Sequence, residues 1–133
     1  MTFETMLLPN EPTIIAPDGS DVRVLLQRAG GSMAHFELGA GLASAAIAHR
    51  SVEEIWFILD GLGEMWRKLQ DNESTVPLRS GTCVSIPVGT HFQFRASNNG
   101  PLSAIGITMP PWPGAEEASI VKGVWQTTDA LAE

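Results

Sequence analysis

The sequence predicts an all-β protein, and two observations carry that prediction. Short apolar runs recur along the 133 residues, and the 13 glycines and 9 prolines supply turns between them. Within several runs apolar and polar side chains alternate, which is typical of strands with one buried face. Many short antiparallel strands in one small protein bury their apolar faces by closing into a sandwich or barrel.

Three strands are predicted in the first part of the chain. Residues 21–28 alternate apolar with polar side chains, and Gly30-Gly31 follows as a turn. A second strand is predicted over residues 33–38 and a third over about 44–49. Each of them is expected to place one face in the core.

The most apolar strand is predicted at residues 55–59, directly before Asp60-Gly61. An Asp-Gly pair between two apolar runs is typical of a hairpin, so residues 64–68 are predicted to pair with this strand. The polar residues 70–75 are predicted to form a loop. The later strands are predicted at residues 83–86, 91–96 and 102–109.

The length predicts a single domain over residues 1–133, since a chain of this size buries one core. Its barrel is expected to span about residues 20–110. Residues 1–19 are predicted to form an edge segment, because residues 12–17 have a short apolar centre between prolines. Residues 110–133 are predicted to wrap the barrel.

Charge and composition exclude two classes of partner. The chain has 15 acidic and 8 basic side chains, a formal net charge of -7, which repels nucleic-acid phosphates and anionic lipid surfaces. No apolar run approaches the roughly twenty residues that span a bilayer, and the first residues lack the basic start of a secretory signal. We therefore expect no nucleic-acid partner, no membrane association and a cytoplasmic location.

The single cysteine, Cys83, excludes an internal disulfide. It lies in an apolar run, and no neighbour in sequence would activate its thiol. We therefore predict a small core side chain and not a nucleophile.

Two glycine-bounded motifs are the most specific feature of the sequence. The first consists of Gly41, Ile47, His49, Glu54 and Gly61, and the second of Gly81, Pro87, Gly89, His91 and Phe92. This spacing resembles the paired motifs of the cupin superfamily. The resemblance implies a double-stranded β-helix, the cupin jelly-roll barrel, in a small single-domain bacterial protein of unassigned function.

The same resemblance implies an incomplete metal site. In cupins the first motif usually offers two histidines and a glutamate, and the second offers one more histidine. Here Ile47 occupies the first histidine position and Phe92 the last. Catalytic metal centres commonly have three protein ligands, so His49 and Glu54 leave the site one short and no metal cofactor is expected.

Strand alternation predicts which motif side chains meet inside the barrel. Ile47 and His49 are two residues apart and share a face, which the resemblance places inward. Glu54 and Trp56 share a face in the same way and are expected to border the same cavity. A histidine and a carboxylate that converge there can form an acid/base pair.

In the second motif, polar and aromatic residues alternate from His91 to Arg95. Phe92 and Phe94 are therefore predicted inside, with His91 and Gln93 outside, because a shift of one residue reverses the face. The other histidine, His35, is predicted to lie on the face opposite the core.

The proline-rich segment 110–114 suggests either a rigid aromatic lid or a clamp on the barrel edge, with Trp112 as its apolar group. The clamp is favoured because proline fixes φ and Trp112 supplies apolar area to bury. Residues 115–119 are predicted to form one helical turn.

These observations favour a protein that binds a small molecule and catalyses proton transfer at most. The predicted ligand-binding residues are His49, Glu54, Ile47, Trp56, Phe92 and Phe94. A homodimer is expected, because a single barrel leaves sheet edges for another subunit to cover. A purely structural or sensory barrel is the third interpretation.

The main alternative is a metal-dependent dioxygenase or isomerase. In it His49 and Glu54 would bind Fe, Mn, Ni or Zn, with His91, His35 or water completing the shell. Sugar epimerases of the cupin type are disfavoured, because they use a catalytic tyrosine and this chain has none.

Overall fold

The computed structural model describes residues 2–128, whose backbone forms eleven strands and one short 3-10 helix, Ala115–Glu117. The strands are β1 (Ile14–Ile15), β2 (Asp21–Arg28), β3 (Gly31–Leu38), β4 (Ile47–His49), β5 (Glu53–Asp60), β6 (Gly63–Leu69), β7 (Asn72–Leu78), β8 (Cys83–Ile86), β9 (His91–Ala96), β10 (Leu102–Met109) and β11 (Ala118–Ile120). The all-β prediction is confirmed. Among the residues described, no helix is long and apolar enough to cross a membrane.

Two antiparallel sheets enclose the core. One has six strands in the order β1-β2-β3-β10-β5-β8, and the other has five in the order β11-β4-β9-β6-β7. Alternate residues of each strand point between the sheets, as in β5, where Trp56 and Ile58 are buried and Ile55 and Phe57 are exposed. The apolar core lies between the two inner faces.

The predicted hairpin at Asp60-Gly61 is wrong. Both edges of β5 are already paired, one with β10 and the other with β8, so β6 pairs with β7 and β9 in the opposite sheet. The chain crosses between sheets at Gly61, where φ is +93° and a Cβ would lie 2.2 Å from the carbonyl oxygen of Pro101. The glycine therefore marks a passage between layers.

The predicted loop over residues 70–75 is also wrong in part. Only Gln70 and Asp71 form the turn, and β7 starts at Asn72, which pairs with Leu69. The first four residues of β7 are exposed, since this strand is the edge of its sheet. A strand without a buried face shows no apolar alternation, and alternation is the signal by which a strand is predicted.

Cys83 is exposed, which contradicts the prediction of a core side chain. In β8 the buried residues are Val84 and Ile86, so Cys83 lies on the outer face of its sheet, opposite Phe57 in the strand register. The outer face of this sheet also carries apolar side chains. In the sequence, its strands therefore resemble strands that are buried on both faces.

Both terminal segments lie against the sheets. Residues Ile14–Ile15 pair with β2 at the edge of the six-stranded sheet, as predicted for an edge strand. On the other sheet β11 pairs with β4, and the chain then runs across β9. The single domain over residues 1–133 stays a prediction.

Gln93 shows how closely the C-terminal segment packs. It was predicted to face outward, and it does leave the barrel interior, yet it is fully buried. Its Oε1 accepts hydrogen bonds from the backbone N–H groups of Val124 and Trp125 at 2.9 and 3.0 Å. Its Nε2 donates to the carbonyl oxygens of Ser44 and Trp125, both at 2.8 Å.

Candidate functional site

A cavity of about 150 Å³ opens between the sheets. Four aromatic side chains contribute to its wall, together with three ionisable ones: Phe36, Trp56, Phe92, Trp112, Asp18, His49 and Glu54. A cavity of about 150 Å³ holds a molecule the size of benzene, whereas pockets for drug-sized ligands have roughly 300–1,000 Å³. The space therefore suits one small ring or a similarly compact group.

His49 and Glu54 form a buried pair in the cavity wall. They are 5% and 4% exposed, and His49 Nε2 is hydrogen-bonded to Glu54 Oε2. The other carboxylate oxygen accepts a hydrogen bond from Trp56 Nε1 at 2.9 Å. Among the residues described, His49 Nδ1 is buried without a hydrogen-bond partner. The pair can hold or transfer a proton within the barrel.

The pair depends on the short connection from β4 to β5, which Glu117 holds. The carboxylate of Glu117 accepts hydrogen bonds from Ser51 Oγ at 2.6 Å and from the backbone N–H of Val52 at 2.9 Å. It also accepts one from the backbone N–H of Ser51. This connection joins His49 to Glu54, so Glu117 anchors the segment between them.

Glu117 was not predicted from the sequence. It sits beside Glu116 after a proline-rich segment, with no motif that connects it to residues 66 positions earlier. Burial by itself raises the pKa of Glu117, but the hydrogen bonds from Ser51 and Val52, together with the nearby His49, outweigh it. The pKa is therefore held below its usual value, and the carboxylate is ionised at neutral pH.

The aromatic wall of the cavity depends on Gly106, which has no side chain. Phe36 and Trp56 stack with ring centroids 4.9 Å apart and planes 13° from parallel. Gly106 lies beneath them, and a Cβ there would come within 2.4 Å of Phe36 Cε2 and 3.2 Å of Trp56 Cδ1. Glycine at this position lets the two rings pack against the strand and leaves the cavity open in front of them.

Trp112 reaches the cavity from the proline-rich segment. Its ring centroid lies 5.2 Å from that of His49 in an edge-on contact, and its backbone N–H donates to Ser32 Oγ at 2.9 Å. The segment was predicted to be a clamp in preference to a lid. The structure places the indole in the cavity wall, so Trp112 belongs to the candidate site.

Four of the six predicted ligand-binding residues line the cavity: His49, Glu54, Trp56 and Phe92. Ile47 and Phe94 do not line it, and ligand binding by any of the six stays a prediction. Both are buried in the core, and Phe94 packs edge-on against Trp56 with centroids 4.9 Å apart. A side chain that points into the barrel does not necessarily line the cavity. Side chains two residues apart on a strand share a face but lie at different depths in the barrel.

The other two histidines lie outside the cavity. His91 pairs with Ala48 and Lys68 across the strands and, as predicted, does not share the inward direction of Phe92. His35 lies on the outer face of β3, where burial lowers its pKa, Arg23 lowers it further and Glu37 opposes them. Neither histidine lines the cavity with His49.

The residues present do not fit a three-ligand metal centre. Within residues 2–128 no group of three His, Cys, Asp or Glu side chains is arranged to hold a metal ion. His49 Nε2 and Glu54 Oε2, the two candidate metal ligands in the cavity wall, are hydrogen-bonded to each other. Asp18 also lines the cavity, but its Oδ1 accepts hydrogen bonds from the backbone N–H and the hydroxyl of Ser20.

No protein-family model matches the sequence, and no curated protein matches it. Solved structures do match. An uncharacterised conserved protein with a double-stranded β-helix domain from Klebsiella pneumoniae is 16% identical, with a TM-score of 0.64. The match covers 78% of this chain and 85% of that one. The prediction of a double-stranded β-helix, the cupin jelly-roll barrel, is confirmed.

Two further neighbours indicate what this fold carries elsewhere. A variant of Streptomyces PAC13 with uridine is 12% identical, with a TM-score of 0.69, over 92% of this chain and 95% of that one. A deletion mutant of Bacillus subtilis oxalate decarboxylase is 14% identical, with a TM-score of 0.69, over 84% of this chain and 30% of that one. A further matching structure of that decarboxylase is 15% identical and concerns its Mn(II) centres. At sequence identities this low, the structural similarity establishes the fold alone.

Proposed function

We propose that the protein binds a small organic molecule in the cavity, with the His49–Glu54 pair as its main polar contact. One observation carries the proposal: a space of about 150 Å³ between the sheets adjoins a buried ionisable pair. Protein interiors are close-packed, so a gap beside such a pair indicates a site for a guest. The cytoplasmic location predicted from the sequence is part of the same proposal.

The chemistry available to this site is proton transfer. Glu54 and His49 share a hydrogen bond, and Trp56 donates to the other carboxylate oxygen and fixes its orientation. A ligand with an acidic or basic group beside the pair could exchange a proton with it. The uridine of the PAC13 structure supports small-molecule binding in this fold, although a whole nucleoside exceeds this cavity.

The alternative is a metal-dependent enzyme, which the Mn(II) centres of the oxalate decarboxylase neighbour support. His49 and Glu54 would then bind Fe, Mn, Ni or Zn, and their mutual hydrogen bond would have to break. We expect metal well below one equivalent in protein purified without chelators. A stoichiometric metal that is lost from both H49A and E54A would favour the alternative.

Ligand binding is tested by the fluorescence of Trp56 and Trp112, which line the cavity. We expect saturable quenching by at least one of phenol, pyridine, imidazole or choline, with an affinity of about 1 µM to 1 mM. Ala34→Leu fills the cavity from β3, opposite Gly106, and should weaken that binding at least about tenfold.

The matched control is Ala40→Leu, the same change at an exposed position. It should leave the affinity unchanged. Absence of saturable quenching by every compound, or equal affinity in wild type and A34L, would overturn the proposed function.

A further inference from the structure

We infer that the ligand is a small organic cation, an inference that rests on the proposed function. The charges of the cavity wall are its first support. The ionisable side chains that line it are Asp18, His49 and Glu54, and no lysine or arginine is among its described lining residues. An anionic ligand would have no permanent opposite charge beside it.

The buried carboxylate of Glu54 decides which sign of charge the ligand carries. Glu54 is 4% exposed, so a charge beside it is poorly screened by water. Two unit charges 4 Å apart interact by about 4 kcal/mol at the effective dielectric constant found near protein surfaces. With a neutral His49 the pair carries one negative charge, so this interaction weakens the binding of an anion and strengthens that of a cation.

The aromatic wall favours one type of cation. Ring faces attract cations electrostatically, by about 0.5–2 kcal/mol for each well-placed ring, and aromatic cages are used to bind quaternary ammonium groups. Trp56 and Phe36 form one stacked wall, and Trp112 and Phe92 approach His49 from other directions. The cavity thus places several rings around one small space.

The largely aromatic wall favours alkylated cations over primary ammonium. Both oxygens of Glu54 already accept hydrogen bonds, from Trp56 and from His49. A primary ammonium brings three donors that need acceptors, whereas a methylated ammonium or sulfonium group brings none. Tetramethylammonium is about the size of benzene, which a cavity of this volume holds.

Three compounds of nearly equal shape and different charge test the inference: choline, 3,3-dimethylbutan-1-ol and 3,3-dimethylbutanoate. Calorimetric titration should show choline binding at least tenfold more tightly than the neutral alcohol, and no binding of the anion. Equal affinity for choline and the alcohol would overturn the inference and leave the proposed function standing. Binding of a neutral ring compound without binding of choline would also overturn the inference and leave the proposed function standing.

Charge removal supplies the matched variants. Glu54→Gln should reduce choline affinity at least tenfold while the alcohol binds as before, which also shows that the cavity is intact. Glu53→Gln removes the same charge from the exposed neighbour on the opposite face of β5 and should change neither affinity. Unchanged choline affinity in E54Q would contradict a role for the carboxylate.

We also propose, from an independent observation, that the outer face of the six-stranded sheet binds a second copy of the chain. This outer face consists of two cross-strand rows of side chains and the adjacent Leu59: Met33–Ile107–Ile55 and His35–Ile105–Phe57. Ile55, Phe57 and Leu59 are 44%, 49% and 40% exposed.

The N-terminal arm, residues 2–10, extends this apolar surface. On one side of the arm, Met6 and Leu8 border the groove above β2 and β3, and Glu4 pairs with Arg28 at 3.6 Å. On the other side, Phe3 and Leu7 are almost completely exposed. An extended segment with apolar side chains on both sides is suited to lie between two surfaces.

The area of this exposed apolar surface favours a second copy of the chain as its binding partner. The exposed parts of the arm and the outer face amount to roughly 900 Å², if a large apolar side chain presents about 200 Å². A typical monomer exposes an apolar patch of roughly 300–600 Å², and a stable interface buries about 800 Å² per partner. A two-fold dimer uses the same patch on both subunits, and homodimer interfaces are the more apolar class.

Light scattering after size exclusion tests the dimer. Wild type should elute as a dimer, and Phe57→Glu, which places a charge in the outer face, should elute as a monomer with the same circular dichroism spectrum. Val88→Glu is the matched control, since Val88 is 44% exposed in a loop away from this face. It should remain dimeric.

The thiol of Cys83 gives a second readout, because it lies next to Phe57 on the same face. Maleimide labelling should be slow in wild type and at least tenfold faster in F57E. A wild type that is monomeric over all accessible concentrations, or a dimer that F57E leaves intact, would overturn the proposal.

Discussion

Replacing Glu117 by alanine is expected to destabilise the protein by about 3–5 kcal/mol at neutral pH, because three hydrogen-bond donors lose their acceptor. These donors are the hydroxyl and N–H of Ser51 and the N–H of Val52. A hydrogen bond to a charged group contributes roughly 1.5–3 kcal/mol, and a buried donor left without a partner costs about 1–3 kcal/mol. Water that enters the vacated space limits the total.

The change should also weaken ligand binding in protein that is still folded. Glu117 fixes the connection between His49 and Glu54, and a looser connection lets the two side chains separate. Urea denaturation measures the stability, and tryptophan fluorescence measures the affinity. The control is Glu116→Ala, which removes the same charge from the exposed neighbour and should shift stability by less than about 0.5 kcal/mol.

The effect of E117A should depend on pH with a definite sign. The pKa of Glu117 in the folded protein lies below its usual 4.5, because the hydrogen bonds from Ser51 and Val52 outweigh the opposing effect of burial. Its stabilising contribution is therefore complete above about pH 4.5 and is lost as the pH falls towards the folded pKa. The difference between wild type and E117A should shrink in that range. A difference that stays constant from pH 7 to pH 3 would contradict this account.

Replacing Gln93 by leucine is expected to cost about 2–4 kcal/mol and to release the C-terminal segment. The side chain of Gln93 satisfies the N–H groups of Val124 and Trp125 and the carbonyl of Ser44. Leucine has similar volume but no polar atom, so the buried carbonyl of Ser44 loses its partner at roughly 1–3 kcal/mol, and the partly buried N–H groups lose theirs at a smaller cost. The segment can instead separate from β9 and hydrate, which sets the upper limit.

Hydrogen exchange distinguishes local release from general loss of stability. In Q93L the amides of residues 121–128 should exchange at least tenfold faster, while those of β5 and β10 change only with global stability. Gln126→Leu makes the same chemical change at an exposed position in the same segment and should leave exchange unaltered. Equal protection of residues 121–128 in Q93L and wild type would show that Gln93 does not hold the segment.

The fold could be predicted because its signals are local. Gly61, Gly81 and Gly89 have positive φ, and their spacing resembles the turns of cupin barrels. The alternation of polar and apolar residues predicted which face of each motif strand points inward, with Phe92 inside and His91 outside. The pairing of β5 was not predicted, because the hairpin signal at Asp60-Gly61 says nothing of the two strands that already occupy its edges.

The candidate site was predicted in part, for a comparable reason. His49, Glu54 and Trp56 lie within eight consecutive residues, where motif spacing and alternation apply. Trp112 and Glu117 reach the site from the other end of the chain through the packing of the C-terminal segment. No pattern in the sequence connects residues so far apart.

The sequence by itself determined that this is an acidic, all-β barrel, because composition, turn residues and alternation act over short distances. Only the tertiary structure decided that Ile47 and Phe94 are core residues, that Trp112 borders the cavity and that Glu117 holds the connection between His49 and Glu54. Depth within a barrel and contact between remote segments arise from how all the strands pack together. That packing leaves a space of about 150 Å³ beside one buried pair.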